Sequence, residues 1–82
     1  MSELTLIINT PKTQQKGIEI KISEEKTIGD AKNIYFRIVG NRDNNQWMYD
    51  AQILKDNMTI SSYGIEDRDI IEAHPTYKGG IR

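Results

Sequence analysis

Cysteine is absent from this 82-residue chain, which excludes disulfide bonds, thiol catalysis and thiolate metal sites together. The single histidine, His74, has no second histidine or cysteine with which to complete a zinc-ligand spacing. The formal net charge is -1, so no strong positive field draws the chain to nucleic acid or to a membrane surface. We therefore expect no cofactor, no membrane partner and no nucleic-acid partner.

Long hydrophobic runs are also missing. The apolar stretch at residues 4–8 is too short to cross a bilayer, and the N-terminus lacks the basic start of a signal peptide. Hydrophobic residues make up 37% and charged residues 28% of the chain, a balance typical of a soluble globular domain. We expect one small monomeric domain in the cytoplasm or nucleus.

Motifs for catalysis are absent as well. Ser61 and Ser62 lack the glycines of a nucleophile elbow, and no helix follows Gly79-Gly80 to form a phosphate loop. Three acidic residues near one turn are interpreted as a solvated surface rather than paired catalytic carboxylates: Glu66, Asp67 and Asp69. The sequence predicts that the protein is not an enzyme.

The N-terminal third contains two predicted strands. Residues 4–8 are aliphatic and β-branched, and residues 18–22 alternate apolar and charged side chains. The alternation directs three side chains toward a core: Ile18, Ile20 and Ile22. The polar loop at residues 9–17, with proline and glycine, predicts an antiparallel hairpin with a long connection.

The middle of the chain changes to helical periodicity. Thr27 is placed to cap a helix, and Asp30, three residues later, is placed to complete a capping box. Gly40 is a typical helix stop. The residues at helical spacing define one predicted buried face: Ile28, Ala31, Tyr35, Ile38 and Val39. We predict one helix over residues 28–39.

The last third returns to short strands, predicted at residues 46–50, 52–54 and 69–74. Trp47 is expected in the core because it alternates with Met48. Residues 59–63 predict a short helical turn, and Gly64 after it suggests a positive φ. The predicted order is β-β-α-β-β-β, an α+β domain with a single helix packed across one sheet.

This order and spacing resemble the ubiquitin family over nearly the whole chain. Residues 54–65, Leu-Lys-Asp-Asn-Met-Thr-Ile-Ser-Ser-Tyr-Gly-Ile, are similar to ubiquitin's Leu-Glu-Asp-Gly-Arg-Thr-Leu-Ser-Asp-Tyr-Asn-Ile. Lys78-Gly79-Gly80 stands at the position of ubiquitin's terminal Arg-Gly-Gly. The resemblance implies a mixed-sheet β-grasp domain at residues 1–75 and a flexible tail at residues 76–82. It also implies that the Tyr63 hydroxyl holds neighbouring backbone in place.

The resemblance further implies a protein modifier made as a precursor. A processing protease would remove Ile81 and Arg82 and expose Gly80, which activating and conjugating enzymes would then join to a target by an isopeptide bond. Gly79 and Gly80 would permit the close backbone approach that such enzymes require. The implied contacts with the activating enzyme are Thr76, Tyr77 and Lys78.

Several positions depart from the ubiquitin pattern. Thr76 replaces an arginine that helps to select the activating enzyme, and Pro75 replaces a leucine and fixes φ at the base of the tail. Gln52 and Asp67 replace lysines used for ubiquitin chains, while the matching Lys32 has a structural role in that family. We therefore expect neither ordinary ubiquitin activation nor ubiquitin-style chains.

The partner-binding surface implied by the resemblance is the outer face of the sheet, at Met48 and His74 with Tyr49 at the edge. In place of a leucine, the hairpin loop offers only polar residues: Thr13, Gln14 and Gln15. Ubiquitin receptors should therefore bind poorly. The alternative is that Met48 is one scattered apolar residue without a partner.

Two other functions stay open. The first is a ubiquitin-like interaction module that is not conjugated, held by a scaffold protein or a larger assembly. The second is a sulfur carrier, in which Gly80 would bear a thiocarboxylate.

Overall fold

The computed structural model describes residues 3–10 and 17–75. In these ranges five strands, one α-helix and one 3-10 turn follow one another along the chain. They are β1 (Glu3–Asn9), β2 (Ile18–Ser23), α1 (Ile28–Val39), β3 (Gln46–Tyr49), β4 (Gln52–Ile53), the 3-10 turn (Ser61–Tyr63) and β5 (Ile70–His74). The predicted β-β-α-β-β-β order is confirmed.

The five strands form one mixed sheet in the order β2-β1-β5-β3-β4. β1 and β5 are parallel neighbours at its centre, and the other pairs are antiparallel. Leu6 of β1 lies opposite Ile20 of β2, and Ile8 lies beside Ile71 of β5. This register brings the buried positions of each strand onto one face, and α1 covers that face.

Helix α1 has the predicted bounds and caps. Thr27 Oγ1 accepts the Asp30 N–H at 3.1 Å, and an Asp30 carboxylate oxygen accepts the Thr27 N–H at 3.2 Å. At the other end Gly40 has a φ of 83° and donates its N–H to the Phe36 carbonyl. A capping box and a left-handed glycine thus determine both ends.

The predicted buried face of the helix was wrong at Ile38, which is 53% exposed. Lys32 and Phe36, which the pattern had not assigned to this face, are buried instead. The helix is therefore rotated toward the flank that carries Lys32. The reason is tertiary, because the Lys32 ammonium bonds to the carbonyl of Asn45, just before β3.

The core contains Trp47, as expected, and its ring packs edge-on against Tyr35 with centroids 5.7 Å apart. The indole N–H donates to the Asn44 carbonyl, so burial leaves no unpaired donor on this ring. The largest fully buried aliphatic side chains come from strands, helix and loop alike: Leu6, Ile8, Ile28, Ile60 and Ile71. Each such side chain stabilises the fold by about 1.5–3 kcal/mol.

The segment between β4 and β5 is held by hydrogen bonds rather than by regular structure. The Tyr63 hydroxyl accepts the Lys55 N–H at 2.8 Å, which confirms the predicted backbone contact. Gly64 has a φ of 73°, also as predicted. Ile60 donates its N–H to the Lys26 carbonyl and so connects this segment to the start of α1.

Several predictions lie outside the described residues. They concern the tail at residues 76–82, with Thr76, Tyr77, Lys78, Gly79 and Gly80, and the loop residues Thr13, Gln14 and Gln15. The last described residue is Pro75, which follows the end of β5 directly.

Candidate functional site

The side of the sheet turned away from α1, hereafter the outer face, is where the sequence predicts partner binding. Trp47 pairs with Ala73, and both are buried beneath the helix. Because side chains alternate along a strand, the residues next to them in β3 and β5 point the other way. Met48 and His74 therefore lie on the outer face of adjacent strands, and one buried pair, Trp47 with Ala73, separates them along the register.

Tyr49 does not belong to that face. It alternates with Met48, packs against the core and donates its phenol hydrogen to Asp69 at 2.6 Å. The hydrogen bond to the Asp69 carboxylate, together with burial and the negative charge of Asp69, raises the pKa of Tyr49 to about 12. Of the three residues predicted for partner binding, the structure brings two together and gives the third a structural contact.

Apolar residues that the sequence interpretation did not single out extend the outer face on both sides of Met48. Ile53 of β4 lies opposite Met48, and Ile70 of β5 lies beside Ile7 of β1. Ile53 and Ile70 are 54% and 53% exposed, respectively. The signal for Ile70 was in the sequence, because adjacent residues of a strand point to opposite faces and Ile70 and Ile71 cannot both enter one core.

A shallow cavity of about 470 Å³ opens on this face. The residues that line it, hereafter the outer groove, are Met48, Asp50, Ala51, Ile70 and Glu72. Its walls combine aliphatic surface with two carboxylates, and none of the described residues that line it is basic. The described part of the outer groove is therefore both apolar and acidic.

The two-residue turn between β3 and β4 forms one end of the groove. Asp50 and Ala51 both have positive φ, at 54° and 63°. Two successive positive φ angles are typical of the tight hairpin turn that Asn-Gly prefers, so an alanine here is strained. The turn thus places an Asp side chain and an alanine methyl beside the groove, where a more permissive glycine would present no side chain.

His74 lies next to the groove without lining it. One of its ring nitrogens, Nε2, is 3.1 Å from a carboxylate oxygen of Glu72. This contact becomes an ion pair when the imidazole is protonated. His74 therefore influences the border of the groove through Glu72.

The acidic residues before β5 act as loop supports as well as a solvated surface. Asp67 accepts the backbone N–H of Thr5 at 2.7 Å, and Asp69 accepts the N–H of Glu66 at 2.8 Å. These bonds hold the loop against β1. The prediction that the three acids do not form a paired catalytic site stays a prediction.

Lys32 has the structural contacts expected of it. Its ammonium group is 2.6 Å from an Asp56 carboxylate oxygen and 2.6 Å from the Asn45 carbonyl. The lysine side chain is 7% exposed and that of Asp56 is 63% exposed. The pair connects α1 to the loops on both sides of the β3–β4 hairpin.

Among residues 3–10 and 17–75, no group of three His, Asp or Glu side chains is placed to hold a metal ion. No helix in the same part of the chain is long and apolar enough to span a membrane.

The family model described as the ubiquitin family matches residues 6–76, most of the chain. No curated protein matches the sequence significantly.

Solved structures match the fold closely at low sequence identity. An ubiquitin from Caldiarchaeum subterraneum has a TM-score of 0.80 and 20% identity, covering 96% of this chain and all of the other. The C-terminal ubiquitin-like domain of human 2'-5'-oligoadenylate synthetase-like protein (p59 OASL) has a TM-score of 0.82 and 20% identity. This match covers 99% of the present chain and 92% of the other. A structure described as molecular mimicry of SUMO that promotes DNA repair has a TM-score of 0.75 and 19% identity. This match covers 88% of the present chain and 90% of the other. At these identities the likeness concerns the fold alone.

Proposed function

Because this chain belongs to the ubiquitin family, we propose that it is a protein modifier, joined to its targets through Gly80 after removal of Ile81 and Arg82. It acts in the cytoplasm or nucleus by attachment and by binding other proteins, without catalysing a reaction itself. Activating and conjugating enzymes and a processing protease are its partners in this role.

The observation that supports the proposal best is where β5 ends. β5 lies between β1 and β3, so the chain leaves the sheet from a central strand at His74. Gly79 follows five residues later in the sequence, with Gly80 next to it. Five extended residues span at most about 17 Å, enough for a diglycine to reach an enzyme that docks on the body.

The decisive experiment uses the chain with an N-terminal tag in its source cells. We expect loss of Ile81 and Arg82 in the intact mass and heavier covalent adducts of the tagged protein. A Gly80→Ala variant should lose the adducts, because the added methyl hinders the close approach that a diglycine allows. The matched control is Gly64→Ala, which changes a glycine in the body and should leave the adducts in place if the variant still folds.

Other outcomes would point to other functions. An intact C-terminus without adducts would contradict the modifier proposal. A mass increase of one sulfur atom on Gly80 would instead indicate a sulfur carrier.

The second candidate is a ubiquitin-like interaction module that is never conjugated. The outer face supports it, because Met48, Ile53 and Ile70 cluster there with more than half of each isoleucine exposed. Contiguous exposed apolar residues are typical of binding surfaces. Binding of a partner that survives the Gly80→Ala substitution, in cells that form no adducts, would favour this function over the modifier.

A further inference from the structure

The arrangement of the outer groove indicates what kind of partner it fits. Met48 of β3 lies directly opposite Glu72 of β5. Asp50 follows β3 in the tight turn, with a φ of 54°, and lines the outer groove together with Ile70 of β5. The outer groove thus brings an apolar pair, Met48 and Ile70, together with two carboxylates, those of Asp50 and Glu72.

This lining suits one long cationic side chain. Met48 and Ile70 are diagonal neighbours on adjacent antiparallel strands, an arrangement in which side chains lie about 7–8 Å apart. Because Asp50 and Glu72 line the same groove, a positive head group placed there can approach both carboxylates. The methylene stem of a lysine or arginine packs along apolar surface while its head remains among polar groups.

We propose that the outer groove binds a lysine or arginine side chain carried by an apolar segment of a partner protein. The stem lies between Met48 and Ile70, and the charged head lies between Asp50 and Glu72. The side chain of Glu72 is 64% exposed and remains accessible to a partner even with His74 beside it. Among the described residues of the lining two are acidic and none is basic, so charge complementarity favours a cationic occupant over an acidic one.

The neighbouring apolar residues define what should flank the cation. Ile53 extends the surface beyond Met48, and Ile7 extends it beyond Ile70. Aliphatic residues beside the lysine or arginine would cover these side chains. The occupant is thus a mixed basic and aliphatic segment, which is what distinguishes it from a purely hydrophobic or an acidic peptide.

The strain in the turn agrees with this assignment. Asp50 and Ala51 keep positive φ angles that glycine would adopt at lower cost. Strained residues persist where the surrounding structure maintains them, and they are concentrated at binding sites. A glycine at position 50 would remove one of the two carboxylates from the outer groove.

The inference rests on the protein-binding part of the proposed function and does not need Gly80. Its test therefore uses the purified chain with no conjugating enzymes present. A displayed library of random short peptides is selected on the wild-type chain, and the enriched peptides are synthesised. Each is titrated into the isotope-labelled protein by NMR, next to an analogue in which citrulline replaces arginine or norleucine replaces lysine.

We expect the enriched peptides to share a lysine or arginine beside aliphatic residues, and to shift the backbone signals of Met48, Ile70 and Glu72. The uncharged analogue should bind about tenfold more weakly. The D50N/E72Q variant keeps the shape of the two side chains and removes their charge. Its affinity for the peptides should fall by a similar factor. The control E25Q, in an exposed turn between β2 and α1, should bind as the wild type does.

Any of three results would overturn the proposal. They are enrichment of peptides without a basic residue, signal shifts confined to another surface, and equal affinity of wild type and D50N/E72Q. Failure to obtain any peptide that binds more tightly than about 1 mM would overturn it as well. Formation of adducts through Gly80 would be unaffected by these results, so the two proposals fail separately.

Discussion

The phenol of Tyr49, at the end of β3, donates a 2.6 Å hydrogen bond to the Asp69 carboxylate just before β5. The same Asp69 oxygen accepts the Glu66 N–H at 2.8 Å. One carboxylate thus holds a strand end and a turn together. Ionising the phenol would break the bond and place a second negative charge beside Asp69, which is why the pKa of Tyr49 rises to about 12.

This pairing predicts a loss of stability at high pH. The folded state favours the neutral phenol, so its contribution is fully present below pH 10.0, the ordinary tyrosine pKa, and is lost as pH rises toward 12. In urea unfolding, Tyr49→Phe should lower the free energy of unfolding at neutral pH by about 1–3 kcal/mol. It should also reduce the fall between pH 10 and 12, to which the buried Tyr35, whose pKa burial raises, still contributes.

Tyr63→Phe is the control for that experiment. It removes a different tyrosine hydroxyl, the acceptor of the Lys55 N–H, and leaves the contact between Tyr49 and Asp69 in place. The fall in stability above pH 10 should therefore persist in this variant. An equal fall in wild type and Tyr49→Phe would show that the hydrogen bond to Asp69 does not govern the titration of Tyr49.

The ion pair between Lys32 and Asp56 predicts an asymmetric effect of its removal. Asp56→Ala leaves a nearly buried ammonium with the Asn45 carbonyl as its remaining described acceptor, and should destabilise the fold by about 1–3 kcal/mol. Lys32→Met removes the buried charge itself and should cost less than Asp56→Ala. Asp43→Ala, in the exposed loop after the helix, should change stability by less than about 0.5 kcal/mol. Chemical denaturation of the three variants measures their free energies of unfolding. A larger loss of stability for Lys32→Met than for Asp56→Ala would contradict this account.

The turn at Asp50 and Ala51 predicts a stabilising substitution. Ala51 has a φ of 63°, which glycine adopts without a steric penalty, so Ala51→Gly should raise the free energy of unfolding by up to about 1 kcal/mol. The matched change Ala73→Gly, at a buried position in β5, should destabilise the fold. The midpoint of urea unfolding measures the stability of both variants. A loss of stability in Ala51→Gly would show that a contact of the alanine methyl stabilises the fold by more than its positive φ costs.

The two sides of α1 predict opposite sensitivities. Phe36 is 7% exposed, contacts Tyr35 edge-on and has the Arg42 guanidinium 5.2 Å from its ring centre. Phe36→Ala should therefore cost about 3 kcal/mol or more. Ile38→Ala, at a position 53% exposed, should cost less than about 1 kcal/mol. Thermal unfolding compares the two variants. Similar losses of stability would support the buried helix face predicted from the sequence, which includes Ile38.

Much of the fold was predictable because its signals are local. Thr27 and Asp30 can form a capping box only at a helix start, and Gly40 offers the left-handed conformation at its end. The alternation at Ile18, Ile20 and Ile22 requires a strand with one buried face, although Ile18 proves only partly buried. Each signal depends on residues fewer than five positions apart, so no knowledge of the rest of the fold is needed.

The candidate site was predictable only in part. Met48 and His74 came from the family resemblance, and the structure places both on the outer face. Ile70 and Glu72 join Met48 through the pairing of β3 with β5, whose paired residues are 24 to 28 positions apart in the sequence, and Asp50 joins them from the turn after β3. No local pattern encodes which residue of one strand lies opposite which residue of another.

By itself, the sequence determined the kinds of element, their order and the two helix caps, because dihedral preference, periodicity and capping act over a few residues. Tertiary structure alone decided which side of α1 is buried, since Lys32 has to reach Asn45 and Asp56 on separate loops. It also decided that Ile71 enters the core while Ile70 faces outward. Adjacent isoleucines are equally apolar, and only the register against β1 and β3 determines which of them is covered.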